Sequence, residues 1–196
     1  LKVISIFSFL GIMLGVAILI IVMSVMNGFK NDLTNKILGL NPHIVIQSNG
    51  YKIENKFISN LKKKFKDFNI SKTYSGEGIV INNNNAKGII IKGIDEKNEE
   101  SLNFLKENIT NGDLKKFIKN TAFIGSELAF NLKLKIGDKI NLMSSAFIAT
   151  PFGGLPKQET LTIAGVFNTG FNEFDQNFVF LNLVDALSLF DKEAYE

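Results

Sequence analysis

Cysteine is absent from the 196 residues, which excludes disulfides, thiolate metal sites and a cysteine nucleophile. Arginine is absent as well, so lysine supplies all 22 positive charges against 19 acids. A formal net charge of +3 is too weak and too dispersed to argue for nucleic acid, and bidentate readout of phosphate or guanine calls on arginine. The single histidine, His43, stands beside Pro42 at the start of an apolar run and reads as structural. One histidine leaves no basis for a His-built metal site or a Ser-His-Asp triad. No G-x-x-x-x-G-K-[ST] occurs, so the chain has no P-loop. Acids are scattered singly or in the solvated pairs Asp95-Glu96 and Glu99-Glu100, and no set of base, nucleophile and oxyanion donor can be named. The expectation is therefore a chain without catalytic residues, without metal ligands and without a cofactor of its own.

What is present begins with an uncharged block from Val3 to Phe29. The stretch Val3 to Met26 makes a helix of roughly 36 Å, against a hydrocarbon core of about 30 Å. It is too long for a secretory signal and offers no small-x-small cleavage site, so it reads as a retained membrane anchor. Within it, Gly11-x-x-x-Gly15 is a candidate face for close helix packing. Apolar positions 29, 33, 37 and 40 then continue the helical period as an amphipathic stalk, which Gly39 and Asn41-Pro42 end. Met23, Met26, Phe29 and Leu33 share one broad face where the helix leaves the bilayer, and methionine suits a surface that accepts varied apolar groups. Packing on a neighbouring helix would use the same face. The start at Leu1 and the ending directly after a helical pattern read as a fragment of a longer polypeptide.

The remainder predicts an α+β domain. Residues 43–47 read as a strand, Asn49-Gly50 as a turn, and 53–68 as an amphipathic helix whose Lys62, Lys63, Lys64 and Lys66 read first as its solvated face, with an acidic-lipid contact as the alternative. Residues 73–81 and 86–94 read as a hairpin across the asparagine run 82–85, whose composition marks a loop. Residues 95–121 are weakly patterned and suit short helices and turns. A helix over 125–132, strands over 139–143, 159–167 and 177–181, and a helix over 183–190 complete the expectation.

Between Lys139 and Lys157 lie 17 consecutive uncharged residues. The loop 144–158 carries Phe147, Ile148, Pro151, Phe152, Gly153, Gly154, Leu155 and Pro156. Two prolines and adjacent glycines argue against a regular strand there. Long apolar loops usually have a use, and two readings stand: a partner-binding protrusion, or a flap tucked over the domain's own core.

The segments 9–17, Ser24-Val25-Met26-Asn27-Gly28-Phe29 and Ile37-Leu38-Gly39-Leu40-Asn41-Pro42-His43 resemble the first membrane helix and stalk of the LolC/LolE-type subunits of the bacterial lipoprotein-releasing ABC transporter. The similarity continues through Phe123-Ile124-Gly125-Ser126-Glu127-Leu128-Ala129 and the Gly137-Asp138 turn. It implies one transmembrane helix at residues 1–28, a stalk at 29–41, and a periplasmic domain of two parts. The porter-like part would be 42–95 with 159–196, and the inserted subdomain 96–158. It also implies further membrane helices, an inner-membrane location, and ATP and Mg bound by a separate ATPase subunit, LolD. A second LolC/LolE-type subunit would be a partner, and lipoproteins the substrate. On that resemblance the loop 144–158 looks like the hook that receives the periplasmic chaperone LolA, and Met23, Met26, Phe29 and Leu33 become candidate lipoprotein contacts. A cell-wall-hydrolase regulator resembling FtsX, a MacB-type exporter subunit and a membrane-anchored enzyme are the competing readings. The proline-glycine hook and the Ser24–Phe29 element favour lipoprotein release.

Overall fold

A computed structural model describes residues 2–40, 42, 44–47, 53–82, 85–151 and 153–192. The chain divides into two units, Leu1–Ile46 and Gln47–Glu196.

The first unit is one continuous helix, α1 (Lys2–Leu40). At 1.5 Å per residue it is roughly 58 Å long. Its portion Lys2–Asp32 is long and apolar enough, by length and composition, to cross a membrane. The helix runs through Asn27-Gly28 without a break and stops two residues before Pro42, whose ring disfavours helical conformation in the residue it follows. The expected strand over 43–47 does not form at Ile44–Gln47. These residues are exposed, without regular structure and without a ladder partner among the described residues; an apolar run with nothing to pair with is no strand. His43, Asn49 and Gly50 lie outside the described residues.

The second unit is built on strands β1 (Thr73–Asn82), β2 (Asn85–Ile94), β3 (Ile109–Gly112), β4 (Thr121–Gly125), β5 (Lys139–Thr150), β6 (Gly153–Phe167) and β7 (Phe178–Asn182). Helix α2 (Asn55–Lys64) precedes them, α3 (Glu99–Asn108), α4 (Ser126–Asn131) and α5 (Asn172–Asn177) lie between them, and α6 (Leu183–Leu189) follows β7. The strand order is β3-β6-β4-β7-β2-β1-β5, and β5 also pairs with β6. That last pairing closes six strands into a ring, with β3 on the outer edge of β6. The pairs β2–β7 and β4–β6 are parallel and the others antiparallel. The β1–β2 hairpin forms in the expected place, with Thr73 opposite Ile94 and Asn82 opposite Asn85. Strands β3, β4 and β5 come from the stretch expected as an insert, yet they are hydrogen-bonded into the same sheet as the flanking parts.

Alternation explains the core. In β1 the even positions 74–80 turn inward and the odd positions 73–79 face solvent. Val80, Ile89, Ile91, Ile124, Ile140, Leu142, Leu161, Ile163, Val179 and Leu181 supply an aliphatic layer against Leu128 of α4 and Ala186 and Leu189 of α6. A second cluster is aromatic. Phe104 of α3 meets Phe167, Phe174 and Phe180 at ring-centroid distances of 6.3, 5.8 and 5.6 Å, and Phe174 stacks on Phe178 at 3.9 Å. Gly125, at the junction of β4 and α4, allows the backbone of Asp175 to approach so closely that a Cβ would fall on its carbonyl oxygen. The Asp175 carboxylate in turn accepts from the Thr169 N–H and hydroxyl, which fixes the turn into α5.

Helix α2 is shorter than the expected 53–68. It ends at Lys64, with Phe65 out of helical conformation at φ −117°, ψ 70°. Lys62, Lys63 and Lys64 fill its last turn, where the helix dipole favours positive charge.

Candidate functional site

The uncharged stretch between Lys139 and Lys157 is a β-ribbon. The expectation of an irregular loop over 144–158 is therefore corrected: β5 and β6 pair from Lys139 opposite Thr162 to Thr150 opposite Gly153. Proline and glycine are tolerated because of where they fall. Past Ser144, β5 pairs only with β6 among the described residues, so each strand of the ribbon is an edge strand. Pro156, opposite Phe147, therefore removes no hydrogen bond from an interior ladder. Pro151 lies in the turn and Gly153, at φ +119°, takes a conformation that disfavours other residues. Phe152 lies outside the described residues.

The ribbon has a base and a tip, separated by an irregularity in register between Met143 and Phe147. At the base, Ser144 is buried and its hydroxyl donates to the Leu189 carbonyl at the end of α6, at 2.6 Å. The Ala146 N–H donates back to the Ser144 oxygen at 3.2 Å. Across the ribbon, the Lys157 ammonium donates to an Asp191 carboxylate oxygen at 2.9 Å. That hydrogen bond, with the ammonium's charge behind it, holds the Asp191 carboxyl below its ordinary range. The Ser188 hydroxyl of α6 also donates to the Glu159 carboxylate of β6 at 2.7 Å, so three contacts tie the base to the C-terminal end of α6.

Above them Phe147 is 66% exposed and Leu155 is 60% exposed, and Ile148 and Ala149 also face solvent. Strand alternation places Phe147 and Ala149 on one face and Ile148 on the other, with Leu155 directly across from Ile148. Phe147 lies against Gly154, where an added Cβ would meet its ring at 3.5 Å. Both faces of the tip are apolar, and its described residues are not tucked over the domain's own core. A protrusion of this kind offers apolar area on a stiff support to a partner with a complementary groove.

The other predicted positions lie on α1. Met23, Met26 and Phe29 are exposed on that helix; Leu33 is helical, and its side chain lies outside the description. No neighbour lies within 4 Å of a Cβ placed at Gly11 or Gly15. Among the described residues no group of three or more His, Asp or Glu side chains could hold a metal ion. Sequence reasoning missed Ser144, Lys157, Glu159, Ser188 and Asp191 as the ribbon's anchors. A serine opening an apolar run and the charges bracketing it were the only local signals.

The family of the MacB-like periplasmic core domain matches residues 5–195. Among curated proteins, the lipoprotein-releasing system transmembrane protein LolC of Buchnera aphidicola subsp. Schizaphis graminum is 33% identical over 95% of this chain and 47% of its own length. LolC of Neisseria meningitidis serogroup B is 28% identical over 97% of this chain and 48% of its own. LolE of Haemophilus influenzae is 29% identical over 92% and 45%. The chain thus spans about half the length of the curated relatives it matches. Among solved structures, the extracellular domain of the noncanonical ABC-type transporter YknZ from Gram-positive bacteria superimposes with a TM-score of 0.50. At 15% identity, covering 75% of this chain and 71% of that one, it shows the fold alone.

Proposed function

This chain belongs to the family of the MacB-like periplasmic core domain, and from that premise we propose that it is part of a membrane subunit of a lipoprotein-releasing ABC transporter. The observation that carries this reading is the similarity to LolC and LolE along almost the whole chain, joined to an apolar helix and a projecting apolar ribbon. In this reading α1 lies in the bacterial inner membrane and the sheet domain stands in the periplasm. ATP and Mg are handled by a partner ATPase subunit of the LolD type, since this chain has no P-loop. A second LolC/LolE-type subunit completes the membrane part.

The ribbon tip is the docking element for the periplasmic chaperone LolA. Phe147, Ile148 and Leu155 are its apolar anchors, Pro151, Gly153, Gly154 and Pro156 set its shape, and Phe152, between Pro151 and Gly153 in the sequence, is a further candidate anchor. Because β-pairing and two prolines already order the arm, binding costs little conformational entropy. Met23, Met26, Phe29 and Leu33 form the lipoprotein contact on α1, and Gly11 and Gly15 its helix-packing face. The subunit has no catalytic chemistry of its own; it transmits motion driven by ATP hydrolysis elsewhere.

The test is reconstitution. Proteoliposomes holding the full-length subunit, its ATPase and its second membrane subunit should release an acylated lipoprotein to soluble LolA only with ATP, and not when this subunit is left out. Activation of a peptidoglycan hydrolase without lipoprotein release would instead establish the FtsX-like reading. Export of a small molecule would establish the MacB-type one.

A further inference from the structure

The second unit carries a basic and aromatic surface that the ribbon does not use. Lys62, Lys63, Lys64 and Lys66 are exposed at and just beyond the end of α2, with Asp67 the one acid among them. Phe65 and Phe68 are exposed in the same segment and pack edge to face on each other, with ring centroids 5.9 Å apart. The Lys64 ammonium lies 5.8 Å from the Phe65 ring centroid. Beside them opens a cavity of about 500 Å³, where Lys62, Lys66, Lys72 and Lys97 outnumber the single carboxylate of Asp95.

Two exposed aromatic rings inside a run of lysines form the composition of a membrane-surface segment. Rings favour the headgroup–acyl boundary, and ammonium groups on long stems favour anionic headgroups. A purely solvated face needs no exposed phenylalanines, and a protein-docking face has little use for four adjacent lysines, which are depleted at interface cores. We infer that the end of α2 with residues 65–68 binds the anionic phospholipid of a bilayer surface, with headgroup phosphate in the lysine-lined cavity and the two rings at the interface. The occupant follows from charge complementarity and from continuity of the chain. The same polypeptide carries a helix able to cross a bilayer, so a lipid contact that is weak in solution becomes an intramolecular event with a high effective concentration. The inference goes beyond the transport reading and does not need it. It requires only that α1 span a bilayer.

The chain contains no tryptophan, so Phe68→Trp places a single indole reporter on this surface. The full chain carrying it is placed in lipid nanodiscs through α1. With phosphatidylglycerol in the disc, emission should shift to shorter wavelength and be quenched by lipids brominated on their acyl chains. In discs of phosphatidylcholine alone it should remain that of a solvated indole. Replacing Lys62, Lys63, Lys64 and Lys66 together by Gln, or raising salt to about 1 M where the Debye length falls to about 3 Å, should abolish both effects. Hydrogen exchange of the α2 amides should slow in the anionic discs and return to its phosphatidylcholine value in the four-lysine variant. Equal emission in both lipids would overturn the role of headgroup charge. A shift produced by inorganic phosphate in phosphatidylcholine discs, without bromolipid quenching, would mean a soluble anion. A solvated indole in every disc would mean a surface for solvent or a protein, and either result overturns the inference.

Discussion

Strands β5 and β6 are one hairpin with two physical regimes. At the base, Leu142 and Leu161 are buried at 0% and 1% exposure, and β5 is held between β1 and β6. A few residues along the ribbon, Phe147 and Leu155 are as apolar yet stand in solvent, with no third strand beside them among the described residues. Hydrophobicity alone does not separate the two ends. Neighbours do: the base has a ladder on its other edge and helix α6 beneath it, and the tip has neither. Apolar residues with neighbours contribute stability, and apolar residues held away from neighbours are available for a partner.

The largest expected effect lies at the base. Leu142→Ala or Leu161→Ala opens a cavity in the aliphatic core and should cost about 2–5 kcal/mol of unfolding free energy, measured by denaturant titration of the full chain in detergent. A loss below about 1 kcal/mol would mean that the base packs no better than the tip, and the contrast would fail. Next comes the anchor between the regimes. Ser144→Ala leaves the Leu189 carbonyl without its donor in a buried site, and should cost about 1–3 kcal/mol. Ser144→Thr keeps a donor and separates the lost hydrogen bond from lost packing.

The tip should behave oppositely. Phe147→Ala and Leu155→Ala should leave stability within about 0.5 kcal/mol, as for surface sites. On the reading proposed above they should weaken capture of LolA by about tenfold or more each, as interface anchors do. Surface plasmon resonance against LolA reads this directly. Unchanged capture with lost stability would make the ribbon part of the fold and nothing else.

A buried charge beside the base sharpens the same contrast. Asp185 of α6 is buried and accepts the Asn120 N–H at 2.6 Å. Burial, the largest cause, raises its carboxyl above the ordinary range despite that hydrogen bond. Because the folded value lies above the unfolded one, the folded state binds the proton more tightly, and ionisation above that raised value costs stability. Asp185→Asn keeps an acceptor and removes the charge, so near neutral pH it should be neutral or slightly stabilising. Asp185→Ala loses the acceptor and should destabilise by about 1–3 kcal/mol. Denaturation midpoints of the two variants at one pH decide it.

Legibility in the sequence followed the same division. The β1–β2 hairpin was readable because alternation and an asparagine run are local signals, and the long helix because 27 consecutive uncharged residues from Val3 to Phe29 leave little choice. Residues 144–158 were misread as loop because Pro151, Gly153, Gly154 and Pro156 are breaker signals. Only the pairing of 147–150 with 153–156 shows that they fall on edges and in a turn. The strand expected at 43–47 does not form at Ile44–Gln47 for the converse reason, good local propensity with nothing to pair against among the described residues. The contact from Ser144 to Leu189 spans 45 residues, and the aromatic cluster joins α3 to β6, α5 and β7. Contacts so distant in sequence leave no periodic trace.

The smallest effect belongs to the pair Lys157–Asp191, and pH isolates it. Asp191 is exposed, so screening keeps the pair's contribution small. Its sign is nonetheless fixed. The hydrogen bond from Lys157, then its charge, lower the Asp191 carboxyl in the folded state. For an acid so shifted, the stabilisation is present above the unfolded-state value, about 3.9 for aspartate, and disappears as pH falls through the lowered folded value. Asp191→Asn should therefore be slightly less stable than the parent near neutral pH and indistinguishable from it once both carboxyl forms are protonated. A series of denaturation midpoints from about pH 7 to about pH 2.5 measures the difference. If that difference stays constant across the series, the effect comes from packing at the end of α6, and the ribbon's base is tied there by the Ser144–Leu189 and Ser188–Glu159 hydrogen bonds without help from the ion pair.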